Sequence, residues 1–157
     1  MDGFKYHCCN AKEEIDMDIV YKDNILTADN YRDFQNKMGW NLDPYEQISL
    51  SLKNDLYDIA AIKDNEIIGM GRLIGDGAIF WYIQDVFVLT EHQHKGIGSE
   101  IVKRLINYVK TNSLPKTEIS LCLMSAKGKE AFYEKLGFRC RPHEYEGAGM
   151  EMEIVID

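Results

Sequence analysis

The strongest constraint on this 157-residue chain is a change of hydrophobic period at Gly96. Before it, residues 78 to 89 are rich in β-branched and aromatic side chains, the composition of a strand. After it, Ile97, Ile101, Leu105 and Val109, with Val102 and Ile106 beside them, mark one face of a helix ending near Asn112-Ser113, with Pro115 beyond. The junction, Gln93-His94-Lys95-Gly96-Ile97-Gly98, has the form Q-x-x-G-x-G. Such a loop leaves backbone N–H groups unpaired at the positive end of the helix dipole. Glycine at 96 and 98 lets that backbone approach an anion with no Cβ in between. The result is a cradle for a pyrophosphate. It lacks the G-K-[ST] ending of a nucleotide-hydrolysing P-loop and the spacing of G-x-G-x-x-G. A glycine-rich turn that binds nothing reads equally well from these residues alone.

The remaining periodicities predict a mixed α/β domain spanning residues 1–157, with 1–14 as a peripheral N-terminal segment. Met17 to Tyr21 predicts a short strand. Thr27 caps a helix through Tyr31, Phe34 and Met38 that stops at Gly39. A second helix follows Pro44 and ends near Asn54. Tyr57 to Ile62 and Ile67 to Ile74 form a hairpin about Asp64-Asn65. Gly75, Asp76 and Gly77 turn the chain into Ala78 to Leu89. Past the long helix, Glu118 to Met124 predicts a buried strand, and Ser125 caps a helix from Lys127 to Leu136 closed by Gly137. Phe138 to Arg141 and Met150 to Ile156 read as a final pair of strands.

Eighteen basic residues against twenty-six acidic ones give a net charge of −8, which argues against nucleic acid as a partner. Residues 91 to 141 nevertheless carry ten basic and five acidic side chains, so that stretch is +5 and the remainder −13. An anionic ligand on one side and a cationic one on the other suit this split, as does a solvated helix face. No apolar run approaches the ~20 residues of a bilayer span, and Met1 to Asn10 has no signal-peptide core. A cytoplasmic protein with no membrane partner is expected. Cys8, Cys9, Cys122 and Cys140 form no C-x-x-C pair, and neither His7 nor His92, His94 and His143 has ligand spacing, so no metal is expected. Cys122 reads as a small buried hydrophobe on a strand.

Two stretches together are far more specific than either alone. Tyr82 to Tyr108, centred on V-F-V-L-T-E-H-Q-H-K-G-I-G-S, resembles the acetyl-CoA-binding motif of the GNAT family of N-acetyltransferases. Lys127 to Phe138, K-G-K-E-A-F-Y-E-K-L-G-F, resembles that family's second signature, the helix beside the pantetheine arm. The element order matches from about residue 17 onward. The resemblance implies a mostly antiparallel central sheet splayed open in the middle and flanked by about four helices. It also implies acetyl-CoA as cosubstrate and direct acetyl transfer to an amine. By position, the backbone of Val86, Phe87 and Val88 would pair with pantetheine amides in a gap opened by a bulge. Gln93, His94, Lys95, Gly96, Ile97, Gly98 and Ser99 would hold the pyrophosphate, with Lys129 or Lys135 near the 3′-phosphate. Phe132 would lie near the sulfur or simply fill core. Tyr133 occupies the family's general-acid position, within reach of the departing thiolate.

Asp85 has two readings: general base for the amine, or acceptor of a backbone or Arg72 hydrogen bond. Strict alternation sets Tyr82, Gln84 and Val86 on one face and Ile83, Asp85 and Phe87 on the other, so only a bulge would re-aim its carboxylate. Glu91 reads as a turn residue. The acceptor side is expected from Tyr31, Trp40, Arg72, Tyr82, Glu146 and Met150. Trp40 and Met150 serve equally well as core, Arg72 as an ion-pair partner and Glu146 as solvated loop. The acidic remainder favours a cationic amine, either small molecule or peptide. A non-catalytic acyl-CoA-binding module is the alternative, and a homodimer is one assembly compatible with either.

Overall fold

The computed structural model describes residues 18–156, so Met17, the 1–14 segment, His7, Cys8 and Cys9 lie outside the described residues. Five strands form one sheet in the order β1-β2-β3-β4-β5: Val20–Asp23, Tyr57–Lys63, Glu66–Gly75, Phe80–Val88 and Ser120–Cys122. The first four are antiparallel neighbours and β5 runs parallel to β4. Four helices flank them: α1 Ala28–Met38, α2 Tyr45–Lys53, α3 Ile97–Asn112 and α4 Glu130–Glu134. This mixed, mostly antiparallel open sheet agrees with what the resemblance implied.

Local chemistry explains where the helices begin and end. Thr27 and Asn30 form a reciprocal capping box on α1, and left-handed Gly39 closes it. In α3 the apolar face read from the sequence is buried: Ile97, Ile101, Val102, Leu105 and Val109 are each at most 2% exposed. The helix lies on β3 over two glycines. A Cβ at Gly71 would stand 2.7 Å from Ile101 Cγ2 and 3.0 Å from Leu105 Cδ1. The core takes in this face of the sheet under α3 together with Ala28, Tyr31 and Phe34 of α1 and Ile48 of α2, the two helices also packing on each other.

Strand β4, next to the edge strand β5, carries the feature that shapes the site. Met70 pairs with Phe87 but Arg72 pairs with Gln84, so β4 has one extra residue opposite Gly71. That residue is in the bulge at Asp85, whose φ of +52° is left-handed, a region in which Asp is among the tolerated residues. The bulge reverses the strand's parity. Trp81 meets Tyr108 of α3, and Val86 and Val88 lie on that same side, beside Gly71 and Gly69. Asp85 and Phe87 turn instead toward α1, where they meet Tyr31 and Phe34. Simple alternation, which grouped Val86 with Tyr82 and Gln84, therefore fails at this point.

β4 and β5 pair only from Phe80–Ser120 to Tyr82–Cys122. Beyond them the two chains part and the sheet opens.

Several expectations are corrected near the C-terminus. β5 covers 120–122 rather than 118–124, because its partner diverges after Tyr82. Cys122 is exposed rather than buried because β5 is an edge strand, and Cys140, in the irregular stretch after α4, is exposed as well. The last helix begins after Lys129, not at a Ser125 cap. Lys129 N–H donates to Ala126 in a turn that holds Gly128 at φ +81°, and this conformation delays the helix. Residues 138–141 and 150–156 form no strands; an isolated bridge joins His143 and Glu146. Met150, Met152 and Ile154 alternate as a strand should but stay 70–94% exposed. Alternation supplies propensity, whereas a strand exists only through a partner's hydrogen bonds. Among the described residues no helix is long and apolar enough to cross a membrane.

Candidate active site

The opening between β4 and the residues after β5 is a cleft of about 800 Å³. One wall is β4 from Ile83 to Val88, and the other comes from Leu123 to Ala126 and α4. Its floor at one end is the start of α3, with Gly96, Ile97, Gly98 and Ser99 lining it. The volume falls in the range of small-molecule sites.

The α3 end turns backbone N–H groups that lie ahead of the helical ladder toward the cleft. Gly96 caps the helix at φ +79° with no side-chain cap bond, and His94 before it is also left-handed at φ +60°. The first intrahelical bond runs from Glu100 N–H to the Gly96 carbonyl, so the N–H groups of Ile97, Gly98 and Ser99 precede the helical ladder. The sixteen residues of α3 align their dipole on this point. A Cβ on Gly98 would stand 3.5 Å from Phe132 Cζ and 3.7 Å from Val88 Cγ2, ordinary contacts. The chain could thus carry a side chain there; what glycine keeps clear is the cleft itself. Gln93 donates from Nε2 to the Val88 carbonyl at 2.9 Å, tying the loop to the end of β4.

The opposite wall brings the second motif into the same space. Phe132, Tyr133, Lys129 and Lys135 all line the cleft. Tyr133 is half-buried with its ring edge-on to Phe132 and Phe138. Burial pushes its phenol above the ordinary tyrosine value, so it holds its proton at neutral pH. Trp40, in the α1–α2 connection, joins the site by packing edge-on against Phe87 at 4.3 Å.

Asp85 also borders the cleft, and its carboxylate is heavily engaged. Oδ2 accepts from Tyr31 Oη at 2.8 Å and from Arg72 Nη1 at 2.5 Å, while Oδ1 accepts from Gln84 Nε2 at 3.1 Å. The Arg72 hydrogen bond is the second of the two roles read from the sequence. Arg72, 4% exposed, also donates to both oxygens of Asp55 and to Ser51 Oγ. Burial pulls the guanidinium's pKa down, but Asp55 and Asp85 outweigh it and push it up. Burial and the Asp85 charge push the Tyr31 phenol up as well.

Some expected residues lie elsewhere. Lys95 is exposed and outside the cleft lining. Tyr31 and Arg72 line a separate pocket of about 90 Å³ beside α1 and α2, so the expected acceptor contact by Arg72 gives way to an internal ion network. Tyr82 sits where β4 and β5 part, its hydroxyl buried against the Met124 backbone. Met150 is 94% exposed, away from the cleft. Glu146 engages His143 at 2.5 Å in the C-terminal loop. The sequence reading missed Met38, Leu123, Met124 and His92 as lining residues. Only the position of Leu123 and Met124 just past a strand facing the motif could have suggested them. Among the described residues no group of three or more His, Cys, Asp or Glu is arranged to hold a metal ion.

Comparison with known proteins bears directly on this cleft. The family model described as Acetyltransferase (GNAT) family matches residues 23–138. An uncharacterized N-acetyltransferase, ycf52, of Porphyra purpurea is 27% identical over 142 residues, which cover 86% of this chain and 79% of that protein. The histone acetyltransferase TAP1 of Glycine max is 27% identical over 123 residues; they cover 71% of this chain but only 51% of that longer protein. Among solved structures, the probable acetyltransferase SA2161 from meticillin-resistant Staphylococcus aureus superposes with a TM-score of 0.74. It is 27% identical, with 87% of this chain and 99% of that one covered.

Proposed function

The chain belongs to the GNAT family of acetyltransferases, and from that premise we propose that it is a cytoplasmic enzyme that moves acetyl from acetyl-CoA to the amine of a cationic small molecule or peptide. One observation carries this reading. The unpaired edge of β4, the α3 N-terminus and Tyr133 border one cleft.

The residues present fit the cosubstrate, which would supply an acetyl group activated as a thioester. N–H groups of Ile97, Gly98 and Ser99 would take the pyrophosphate. Val86, Phe87 and Val88 would offer their free edge to the pantetheine amides, as a strand adds to a sheet. The Phe87 or Val88 N–H would polarise the thioester carbonyl. Tyr133, kept protonated by burial, would donate its proton to the thiolate as it leaves. Asp85 is the only carboxylate among the described lining residues, and it is occupied by Arg72 and Tyr31. In this reading it anchors the bulge, and solvent takes the proton from the ammonium. The −13 balance outside residues 91–141 supports a cationic acceptor. The soybean relative's name keeps a protein lysine in that class.

The test is a panel of amines with acetyl-CoA, followed by release of free thiol. Acetyl-CoA binding with no thiol released by any amine would instead indicate the non-catalytic module.

A further inference from the structure

We infer that Arg72 and Tyr31 are positioning residues for acyl transfer, acting through Asp85 to hold the bulge that sets the β4 wall of the cleft and the aromatic pair beside it. The inference rests on the acetyltransferase reading of that cleft, and none of the comparisons assigns these residues a role.

The network is costly and very local. Arg72 lies between two carboxylates, Asp55 and Asp85, whose side chains are 3% and 9% exposed. Taking three charges out of water seldom adds net stability, since apolar side chains of similar volume commonly serve as well. What the polar groups add is geometry. The guanidinium fork takes both oxygens of Asp55 while Nη1 reaches Asp85, so one rigid plane links the α2 end to β4. Ser51 of α2 accepts from the same group at 2.7 Å. Tyr31 adds α1 at 2.8 Å, its ring 5.6 Å from the Arg72 guanidinium. Both helices are thereby fastened to the single bulge residue of β4.

That residue decides what the cleft presents. Without the bulge, regular alternation carried on through Asp85 would take Val86 off the α3 side and turn Phe87 under α3. With it, Phe87 faces Trp40 and Phe34. The α1–α2 connection that carries Trp40 is held in turn by Gln35, which donates to Asp43 at 2.7 Å. The network thus controls the backbone of residues 86–88 and the aromatic pair above it, while the α3 end of the cleft lies outside its contacts.

The molecule contains its own control. Tyr57 donates to Asp23 at 2.8 Å, a partly buried Tyr–Asp bond like that of Tyr31, but outside the cleft lining. The experiment compares Tyr31→Phe, Arg72→Lys and Tyr57→Phe in the full chain, below their melting temperatures. Lysine keeps the positive charge but cannot span both carboxylates as the fork does, so the link from Asp55 to Asp85 is cut. All three should lower the melting temperature. Only Tyr31→Phe and Arg72→Lys should lower kcat, by about threefold or more and about tenfold or more respectively, with acetyl-CoA affinity changed less than about threefold. Amide exchange at Val86, Phe87 and Val88 should quicken in these two and not in Tyr57→Phe. Equal kcat loss in Tyr57→Phe, or parental kcat and exchange in the other two, overturns the inference. If Arg72→Lys fails to fold, Tyr31→Phe and Asp85→Asn decide on the same measurements, because asparagine tolerates the left-handed backbone. A parent that releases no thiol with any amine defeats the acetyltransferase reading instead; the amide exchange comparison still decides whether Arg72 and Tyr31 hold the bulge.

Discussion

The two edges of β4 differ in almost every physical respect. Toward β3 the strand is paired from Trp81–Gly75 to Val88–Gly69, interrupted once by the bulge, and the adjoining face is packed under α3 without slack. Toward β5 it is paired for three residues and then borders a cleft of about 800 Å³. On the closed edge, backbone hydrogen bonds and apolar contacts are spent on stability. On the open edge the backbone past Tyr82 is left unpaired by β5 and borders the cleft. A side chain added on the first should therefore change the folded state, and one added on the second should change binding or chemistry.

The sharpest way to separate the two edges is by pH. Among the described lining residues the one carboxylate is held by Arg72 and Tyr31, so no free carboxylate there is left to take the amine's proton. Tyr133 is raised by burial and keeps its proton across the neutral range, so it imposes no descending limb there. With a simple alkylamine, kcat/KM should rise roughly tenfold per pH unit from about pH 6 to about pH 9, following the free-amine fraction. A flat profile would mean a base on the open edge after all.

Next in size is Tyr133→Phe, which keeps the ring against Phe132 and Phe138 but removes the proton donor. We expect kcat to fall by about 10²-fold, the low end for a general acid, because a thiolate is not a poor leaving group. KM for acetyl-CoA should hardly move. Parental turnover would reduce Tyr133 to packing, while a raised KM with kcat intact would leave it a binding group only.

Gly98→Val tests the anion end. The first added carbon fits, so the fold should survive by circular dichroism, but the branched carbons enter the cleft. Acetyl-CoA affinity measured by calorimetry should drop at least tenfold, about 1.4 kcal/mol. Unchanged affinity would sink the cradle.

Gly71→Ala is the matching change on the closed edge, and of the four it should affect binding and turnover least. Its Cβ would press to 2.7 Å on Ile101 Cγ2, so a loss of about 1–3 kcal/mol in denaturant unfolding is expected. Acetyl-CoA affinity should stay within about threefold. A binding loss larger than that of Gly98→Val would show that the two edges are not separable.

The chain's own sequence determined the parts whose hydrogen bonds are local. The Thr27 cap, the Gly39 stop and the apolar face of α3 were all legible, because a helix closes its bonds within a few residues. The left-handed glycine turn at the head of α3 was legible for the same reason: glycines at a strand-to-helix junction produce it without distant help. So was Tyr133 as a cleft residue, through the likeness of its helix to a known motif. Only the tertiary structure decided which way Asp85 faces. Its carboxylate is turned by one extra residue in the pairing of β4 with β3, and then claimed by Tyr31, 54 positions away, and by Arg72. The end of the chain shows the converse. Residues 150–156 alternate like a strand and form none, because the partner that would pair with them is not written in their own sequence.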